Sequence, residues 1–537
     1  MKKFLCAVVS AVMLLSLTFS VCVFAENEIE KKMDDLTFRI YDTYSSVIKC
    51  NMSAAGEITI PETVSYKGKT YPVEKIEDNA FESCNKITGV KFPECLTYIG
   101  AQAFRYCSKL ESAVIPSKVQ ELGEKAFDNC SSLASVTLSG GIKTMGDEAF
   151  GHCSNLTDAV IKNGVKTIGS DAFCYCVKLE SITIPESVTK IEKYAFYMCK
   201  GLKNVKIGSG VSAIENNAFD RCTALPSITI PSNVKSIGKY VFLFCKELKS
   251  VIMENGVETI DDYAFSNCSS LDHITVPDSV SYLGKYAFRY CAAITSTVIG
   301  GTCIIGDSAF DECGSLKNVV IKNGVKEVGR YAFADCSLIG AVTLPDSVEK
   351  VGTCAFLRCT GIETVSIGSG INEISDYAFG GCDNIKTVRY NGTKKTWDDN
   401  VTLYEGNGPL FSAKWIYEDP YADETEVTEA EESGTDTEPD ETKPDDTESE
   451  DTKPKDTESE DTKPEDTDPE GTDPEKTITG DVNGDGEVNN KDVVELFRAV
   501  SGDPSDKFVK ANADVNGDGN IDNKDVVTLF RTVSTVK

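Results

Sequence analysis

Ala172-Phe173-Cys174-Tyr175-Cys176-Val177-Lys178-Leu179-Glu180-Ser181-Ile182-Thr183-Ile184-Pro185-Glu186-Ser187-Val188-Thr189-Lys190-Ile191 decides the fold, because the chain repeats it. The pair Ala-Phe recurs at Phe81, Phe104, Phe127, Phe150, Phe173, Phe196, Phe219, Phe265, Phe288, Phe310, Phe333, Phe356 and Phe379, with Val-Phe at Phe242. The step is 23 residues, apart from one of 22 into Phe310. Three residues after each Phe stands a Cys, from Cys84 to Cys382. Fourteen matches in one frame mark a repeat array, which lengthens without enlarging its core and so escapes the usual limit on domain size.

One repeat reads as one coil. Ile182-Thr183-Ile184 alternates and is β-prone, so it predicts a short strand with Ile182 and Ile184 inward. Pro185 ends the strand because it has no N–H to give. Leu179, Ile191, Ala195, Phe196 and Cys199 supply the rest of the inward set. No single coil can bury these side chains, but coils stacked at the strand spacing of about 5 Å share one core, and fourteen of them make a curved rod of roughly 70 Å.

The run Ser181-Ile182-Thr183-Ile184-Pro185 through Val188 and Ile191 to Ala195-Phe196, Cys199 and Leu202 resembles the BspA-like class of bacterial leucine-rich repeats. The resemblance covers about residues 36–417. Phe38-Arg39-Ile40-Tyr41 and Glu57-Ile58-Thr59-Ile60-Pro61 resemble that family's N-terminal cap. Val388-Arg389-Tyr390-Asn391-Gly392-Thr393, through Trp397 to Trp415-Ile416-Tyr417, resembles its C-terminal cap. The resemblance implies a right-handed coil and a surface-adhesion role without catalysis in the repeats. It leaves the ligand, a protein or a polysaccharide, open.

The cysteine column does not read as a metal or disulfide system. Zinc needs four converging ligands, and parallel side chains on stacked coils do not converge. Their parallel Cβ vectors also suit a bridge poorly. The expectation is a ladder of buried free thiols acting as small hydrophobes. Cys6, Cys22, Cys50, Cys95, Cys174, Cys303 and Cys354 lie outside the column, and no pairing among them is assigned. The two histidines, His152 and His273, occupy different repeat positions, so no catalytic pairing follows from spacing. Tyr194, Tyr240, Tyr263, Tyr286, Tyr331 and Tyr377 each stand two residues before a Phe; they read first as shields between coils and second as a contact ridge.

The ends carry different chemistry. Lys2 and Lys3, an apolar run over 4–23 and the small residues Val23 and Ala25 predict a signal peptide over 1–25, hence a secreted, extracellular chain. No second apolar stretch is long enough to span a bilayer. The net charge is −31, and residues 418–476 hold 27 acids against 5 lysines. That excludes the basic footprint nucleic acid requires. The same segment repeats units such as Asp451-Thr452-Lys453-Pro454 and predicts an extended, disordered linker.

Two near-identical segments follow over 477–537. Asp481, Asn483, Asp485 and Asp492 place side-chain oxygens at the first, third, fifth and twelfth positions of one loop; Asp514, Asn516, Asp518 and Asp525 do so in the other. Glu487 and Asn520 offer the carbonyl of the seventh position, and Asn489 and Asp522 stand at the ninth. These are hard-oxygen cages for two Ca²⁺ ions. Val493-Val494-Glu495-Leu496-Phe497-Arg498 and Val526-Val527-Thr528-Leu529-Phe530-Arg531 predict a helix after each loop. The doublet resembles a type I dockerin, which docks on cohesin modules of scaffold proteins in cellulosome-like complexes. The resemblance assigns cohesin contact to Asn490, Lys491, Phe497, Arg498, Asn523, Lys524, Phe530 and Arg531, and the Asn-Lys pairs depart from the small hydroxyls common in relatives.

The expected architecture is therefore a mainly β, right-handed solenoid of about fourteen repeats over 26–417, a linker over 418–476 and a small all-α calcium module over 477–537. The expected role is non-catalytic: the solenoid binds a target and the module anchors it to a cohesin, cell-surface or cellulosome associated. A regulator or protease inhibitor of such a complex is the alternative. A glycoside hydrolase fits less well, since hydrolysis needs two carboxylates across a cleft.

Overall fold

The computed structural model describes residues 29–301 and 304–418, and, toward the C-terminus, 479–484, 487–488, 492, 495–496, 499, 508–517, 520–521, 525 and 528–529. The chain divides into two compact units, residues 1–429 and 430–537. The expected signal peptide and most of the expected linker lie outside the described residues.

The first unit is the expected β-solenoid. Each coil contributes a long strand to one face. Ser181–Ile184 pairs in parallel with Asp158–Ile161 before it, through Ser181 and Ile182, and along its whole length with Asn204–Ile207 after it, each paired residue opposite its counterpart one repeat away. Ile182 and Ile184 are buried while Ser181 and Thr183 are exposed, as the alternation predicts. A second, two-residue strand, Lys190–Ile191, pairs the same way with Thr167–Ile168 and Ala213–Ile214.

The third side is the Ala-Phe turn, and its hydrogen bonds follow a strict alternation. The N–H groups of Tyr194, Phe196 and Met198 donate to Asn216, Ala218 and Asp220 on the next coil at 3.0, 2.8 and 2.9 Å. Those of Ala195, Tyr197 and Cys199 donate within their own coil. The alternation requires left-handed backbone two residues either side of Phe: φ is 57° at Tyr194 and 61° at Met198, and other coils repeat it. Non-glycine residues there cost about 1 kcal/mol each, so the packing over-determines the conformation.

That packing centres on the phenylalanines. All fourteen are fully buried. Successive rings stack at 4.6–5.5 Å with interplanar angles of 3–19°. Burial of each ring is worth roughly 1.5–3 kcal/mol, and each stacked pair adds about 0.5–1.5 kcal/mol.

The ends are closed by different structures. Ile29–Met33 and Leu36–Ile40 form a hairpin, and Leu36–Ile40 pairs antiparallel with Ser45–Cys50. Ser45–Cys50 then pairs in parallel with Lys69–Ile76, the start of the short-strand series. At the other end Lys414–Tyr417 is the last long strand, against Thr387–Tyr390. A helix over Lys394–Asn400, capped by the Thr393 hydroxyl, lays Trp397 against Trp415 at 4.6 Å between ring centroids.

Asn407 completes this end. Elsewhere the Phe N–H donates to the carbonyl of the residue before the next coil's Phe, alanine except at Val241; after Phe379 no such repeat follows. The Asn407 amide oxygen accepts from Phe379 N at 2.9 Å, and its Nδ2 donates to the Ser375 and Tyr404 carbonyls, both at 3.0 Å. One fully buried side chain thus replaces a missing backbone edge.

The second unit is small. Asp492, Glu495, Leu496 and Ala499 are helical, as are Asp525, Thr528 and Leu529, consistent with a helix after each loop. Val482, Leu496, Ala513 and Leu529 form its buried apolar centre.

Candidate functional site

The two loops of the second unit are the strongest candidate site. In the first, Asp492 is fully buried, and its Oδ1 accepts from Val482 N and Asn483 N at 2.9 and 3.1 Å. In the second, Asp525 is fully buried and its Oδ1 accepts from Asn516 N at 3.0 Å. Asp514 Oδ1 accepts from Gly517 N at 2.8 Å, closing the turn in which Gly517 has φ +74°; Gly484 has φ +71° at the matching place. The loops therefore repeat each other in structure as in sequence. Asn512 ties them together, donating from Nδ2 to the Asp481 carbonyl at 2.7 Å.

Burying carboxylates in so small a core is costly unless charge compensates them. The donors are oxygens throughout, so the set fits a hard divalent cation. Among the described residues Asp481, Asn483, Glu487, Asp492, Asp514, Asn516, Asn520 and Asp525 could hold it. Asp485, Asn489, Asp518 and Asp522 lie outside the described residues. So do all the expected cohesin contacts: Asn490, Lys491, Phe497, Arg498, Asn523, Lys524, Phe530 and Arg531.

In the solenoid, the cysteine column does more than fill space. From Cys107 to Cys382, each thiol donates to the carbonyl of the Phe one coil back, over 3.0–3.3 Å. The described cysteines are free thiols, all buried except the half-exposed Cys95. Burial pushes the thiols of Cys176 and Cys222, among others in the column, well up from their ordinary value. At those positions neutral sulfur is the resting state, unsuited to nucleophilic or metal chemistry.

One cluster was not visible from repeat spacing. Asp128, nearly fully buried, accepts from Arg105 Nε at 3.1 Å and Asn129 Nδ2 at 2.9 Å, and pairs with His152 Nδ1 at 3.1 Å. Burial pushes the Asp128 carboxyl up, but these three partners together outweigh it and hold the group below its usual range. The same bond raises His152. A Glu148 carboxylate oxygen lies within 4.8 Å of ligand atoms of both, but Glu148 pairs with Lys125 at 2.9 Å. With Arg105 and Lys125 in place the charges are already compensated. The arrangement is an ion network across neighbouring coils.

Half of the tyrosine column packs ring on ring between coils, while Tyr194, Tyr331 and Tyr377 are exposed. Tyr240, Tyr263 and Tyr286 stack at 5.0 and 4.6 Å, in left-handed backbone. Among the described residues no helix is long and apolar enough to cross a membrane.

Residues 57–179, 166–295 and 293–404 match the BspA-type leucine-rich-repeat region, together spanning more than half of the chain. The chain belongs to that family. Residues 479–534 match the type I dockerin domain. Among solved structures, the BspA-type solenoid is similar to a leucine-rich repeat protein from Bacteroides ovatus, with 28% identity and a TM-score of 0.52 over 72% of this chain and 99% of that one. It is also similar to a leucine rich cell surface protein from Faecalibacterium prausnitzii, with 25% identity and a TM-score of 0.39 over 70% and 98%. No curated protein matches. Both families are non-catalytic interaction domains, and their combination points to a protein-interaction role at the cell surface or outside the cell, with a cellulosome-type anchor.

Proposed function

We propose that this chain is a non-catalytic, secreted adhesion subunit. Its solenoid holds a protein or polysaccharide target while its dockerin plugs into a cohesin module of a scaffold protein, with two Ca²⁺ ions keeping the dockerin folded. The duplicated loop over 479–534 carries the reading, because its buried, oxygen-only donors are costly to fold without a cation. Asp481, Asn483, Asp485, Glu487, Asn489 and Asp492 hold one ion; Asp514, Asn516, Asp518, Asn520, Asp522 and Asp525 hold the other. Asn490, Lys491, Phe497 and Arg498, with Asn523, Lys524, Phe530 and Arg531, meet the cohesin.

The test is capture of the full chain on an immobilised type I cohesin, with calcium and with chelator. Capture that requires calcium supports the reading; absence of capture, or capture indifferent to chelator, overturns it. Fifteen of twenty positions agree between 481–500 and 514–533, so each copy presents the same contact set. Replacing Lys491, Phe497 and Arg498 with alanine then costs only about 0.4 kcal/mol, one of two equal modes. Loss of binding from that triple change alone refutes dual docking.

A further inference from the structure

The long-strand face combines a neutral track with unpaired cations. Its third-position column runs Val114, Thr137, Val160, Thr183, Lys206, Thr229, one residue per coil. Beyond it the column continues through Ile252, Thr275, Val298, Val320, Thr343 and Ser366 to Arg389. Between Val114 and Arg389, Lys206 is the only charged member of this column. Both cations are exposed, and among the described residues neither has an ion-pair or side-chain hydrogen-bond partner. About half of the other basic side chains on the coils answer a carboxylate, as Lys203 does Glu180.

Each of these cations also lines a hollow. Ser181, Thr183, Asn204 and Ser227 surround Lys206, with Lys203 at the rim, in a hollow of about 290 Å³. No carboxylate lines it. Eight coils on, Arg389 lines a second hollow of about 490 Å³ with Ser366, Asn391 and the ring of Tyr417. Two carboxylates also line this hollow: Asp346, turned to Asn391 Nδ2 at 2.8 Å and Ser369 N at 2.7 Å, and the exposed Glu418. At the strand spacing the two cations stand roughly 40 Å apart along this column.

We propose that this face binds an anionic polysaccharide, with Lys206 taking a sugar carboxylate or sulfate and Arg389 a second one further along the same chain. The inference rests on the adhesion reading above and names its target class. Small hydroxyl and amide side chains around each cation suit a polyhydroxylated ligand. A protein partner favours buried aromatic anchors, which the Lys206 hollow does not offer. A flexible polymer spans distant cations without requiring one rigid complementary surface.

The experiment is calorimetry of the full chain against polygalacturonate, the same polymer fully methyl-esterified, dextran sulfate and dextran. Wild type should bind one or both anionic polymers, weaken as salt rises and ignore the two neutral ones. Lys206→Gln should lose about tenfold in affinity, one charge-assisted contact. Lys118→Gln, the same charge change four coils away, should stay within about twofold. A preference for dextran sulfate assigns the anion as sulfate, and a preference for polygalacturonate as carboxylate. Equal binding of charged and neutral polymers, no binding of either polyanion, or an unaltered Lys206→Gln variant overturns the inference. If a neutral polymer or a protein binds while both polyanions fail, the adhesion reading survives and this one does not. If cohesin captures the chain in calcium but none of the four polymers binds, this inference falls and the anchoring part of the reading stands.

Discussion

Cys222 tests what the thiol ladder contributes. Its Sγ is fully buried and donates to the Phe196 carbonyl at 3.3 Å, and the same carbonyl also accepts from Cys199 N at 3.2 Å. Cys222→Ala removes one buried heavy atom and a weak donor but orphans nothing, since Phe196 keeps its backbone partner. The expected cost is about 1–1.5 kcal/mol. Cys222→Ser looks milder and should be worse. A C–O bond is shorter than a C–S bond, so in the same rotamer the hydroxyl falls short of the carbonyl, beyond the ~2.5–3.0 Å reach of a good O–H···O bond. A hydroxyl buried without a good partner costs about 1–3 kcal/mol, on top of the lost sulfur contacts. Native-state hydrogen exchange at Phe219 and Cys222 reads this locally, with 1.4 kcal/mol corresponding to about tenfold faster exchange where opening limits it. The expected order of protection is wild type, alanine, serine. Serine equal to wild type would show that the column wants a donor of any kind and refute the size argument.

Three further outcomes follow from single positions. Asn407→Ala should loosen the C-terminal cap by about 1–3 kcal/mol by orphaning Phe379 N, seen as lost exchange protection confined to the last coils and a changed Trp397–Trp415 fluorescence. Gly256→Ala should destabilise its coil by at least about 2 kcal/mol, because φ is +142° and an added Cβ would stand 1.9 Å from the Ser232 carbonyl oxygen; a melt matching wild type contradicts this. Burial pushes Asp220 up to about 6, against a single strong side-chain bond from Asn217. The folded state therefore binds the proton more tightly than the unfolded chain does. Stability from this group falls as pH rises from about 4 through 6, by at most about 3 kcal/mol. Asp220→Asn should accordingly stabilise the solenoid at pH 7 and do nothing at pH 4; equal gain at both values refutes the assignment.

Much of this fold was legible because the array states each inference fourteen times. Alternation in Ser181-Ile182-Thr183-Ile184 gave the strand and its inward face, and the column rule gave Phe196 and Cys199 as core. What sequence could not supply was anything that breaks the period. Asp128 meets His152 across a step of 24, one residue after one Phe and two after another; comparing those two columns on adjacent coils would have found the pair. Asn407 lies outside the repeat and mimics a backbone carbonyl, a role no residue type announces. The left-handed backbone at Tyr194 and Met198 is equally silent, because glycine, its usual marker, is mostly absent there. In the calcium module the doublet was plain, since ligand spacing is itself the motif.

The separation of columns explains how such a chain can hold a fixed fold and still vary its target. Inward positions must match their neighbours on both sides: a changed Phe219 disturbs its stacks with Phe196 and Phe242 together. Outward strand positions carry no such constraint, since Thr183 and Thr229 flank Lys206 without depending on its side chain. A cation can therefore enter the outward column at one coil for almost no stability, whereas it could not enter the inward column at any. Ligand choice then resides in the few coils that depart from the neutral pattern rather than in the repeat. This is why Lys206 and Arg389, two residues that look like repeat noise, are the positions on which the proposed recognition turns.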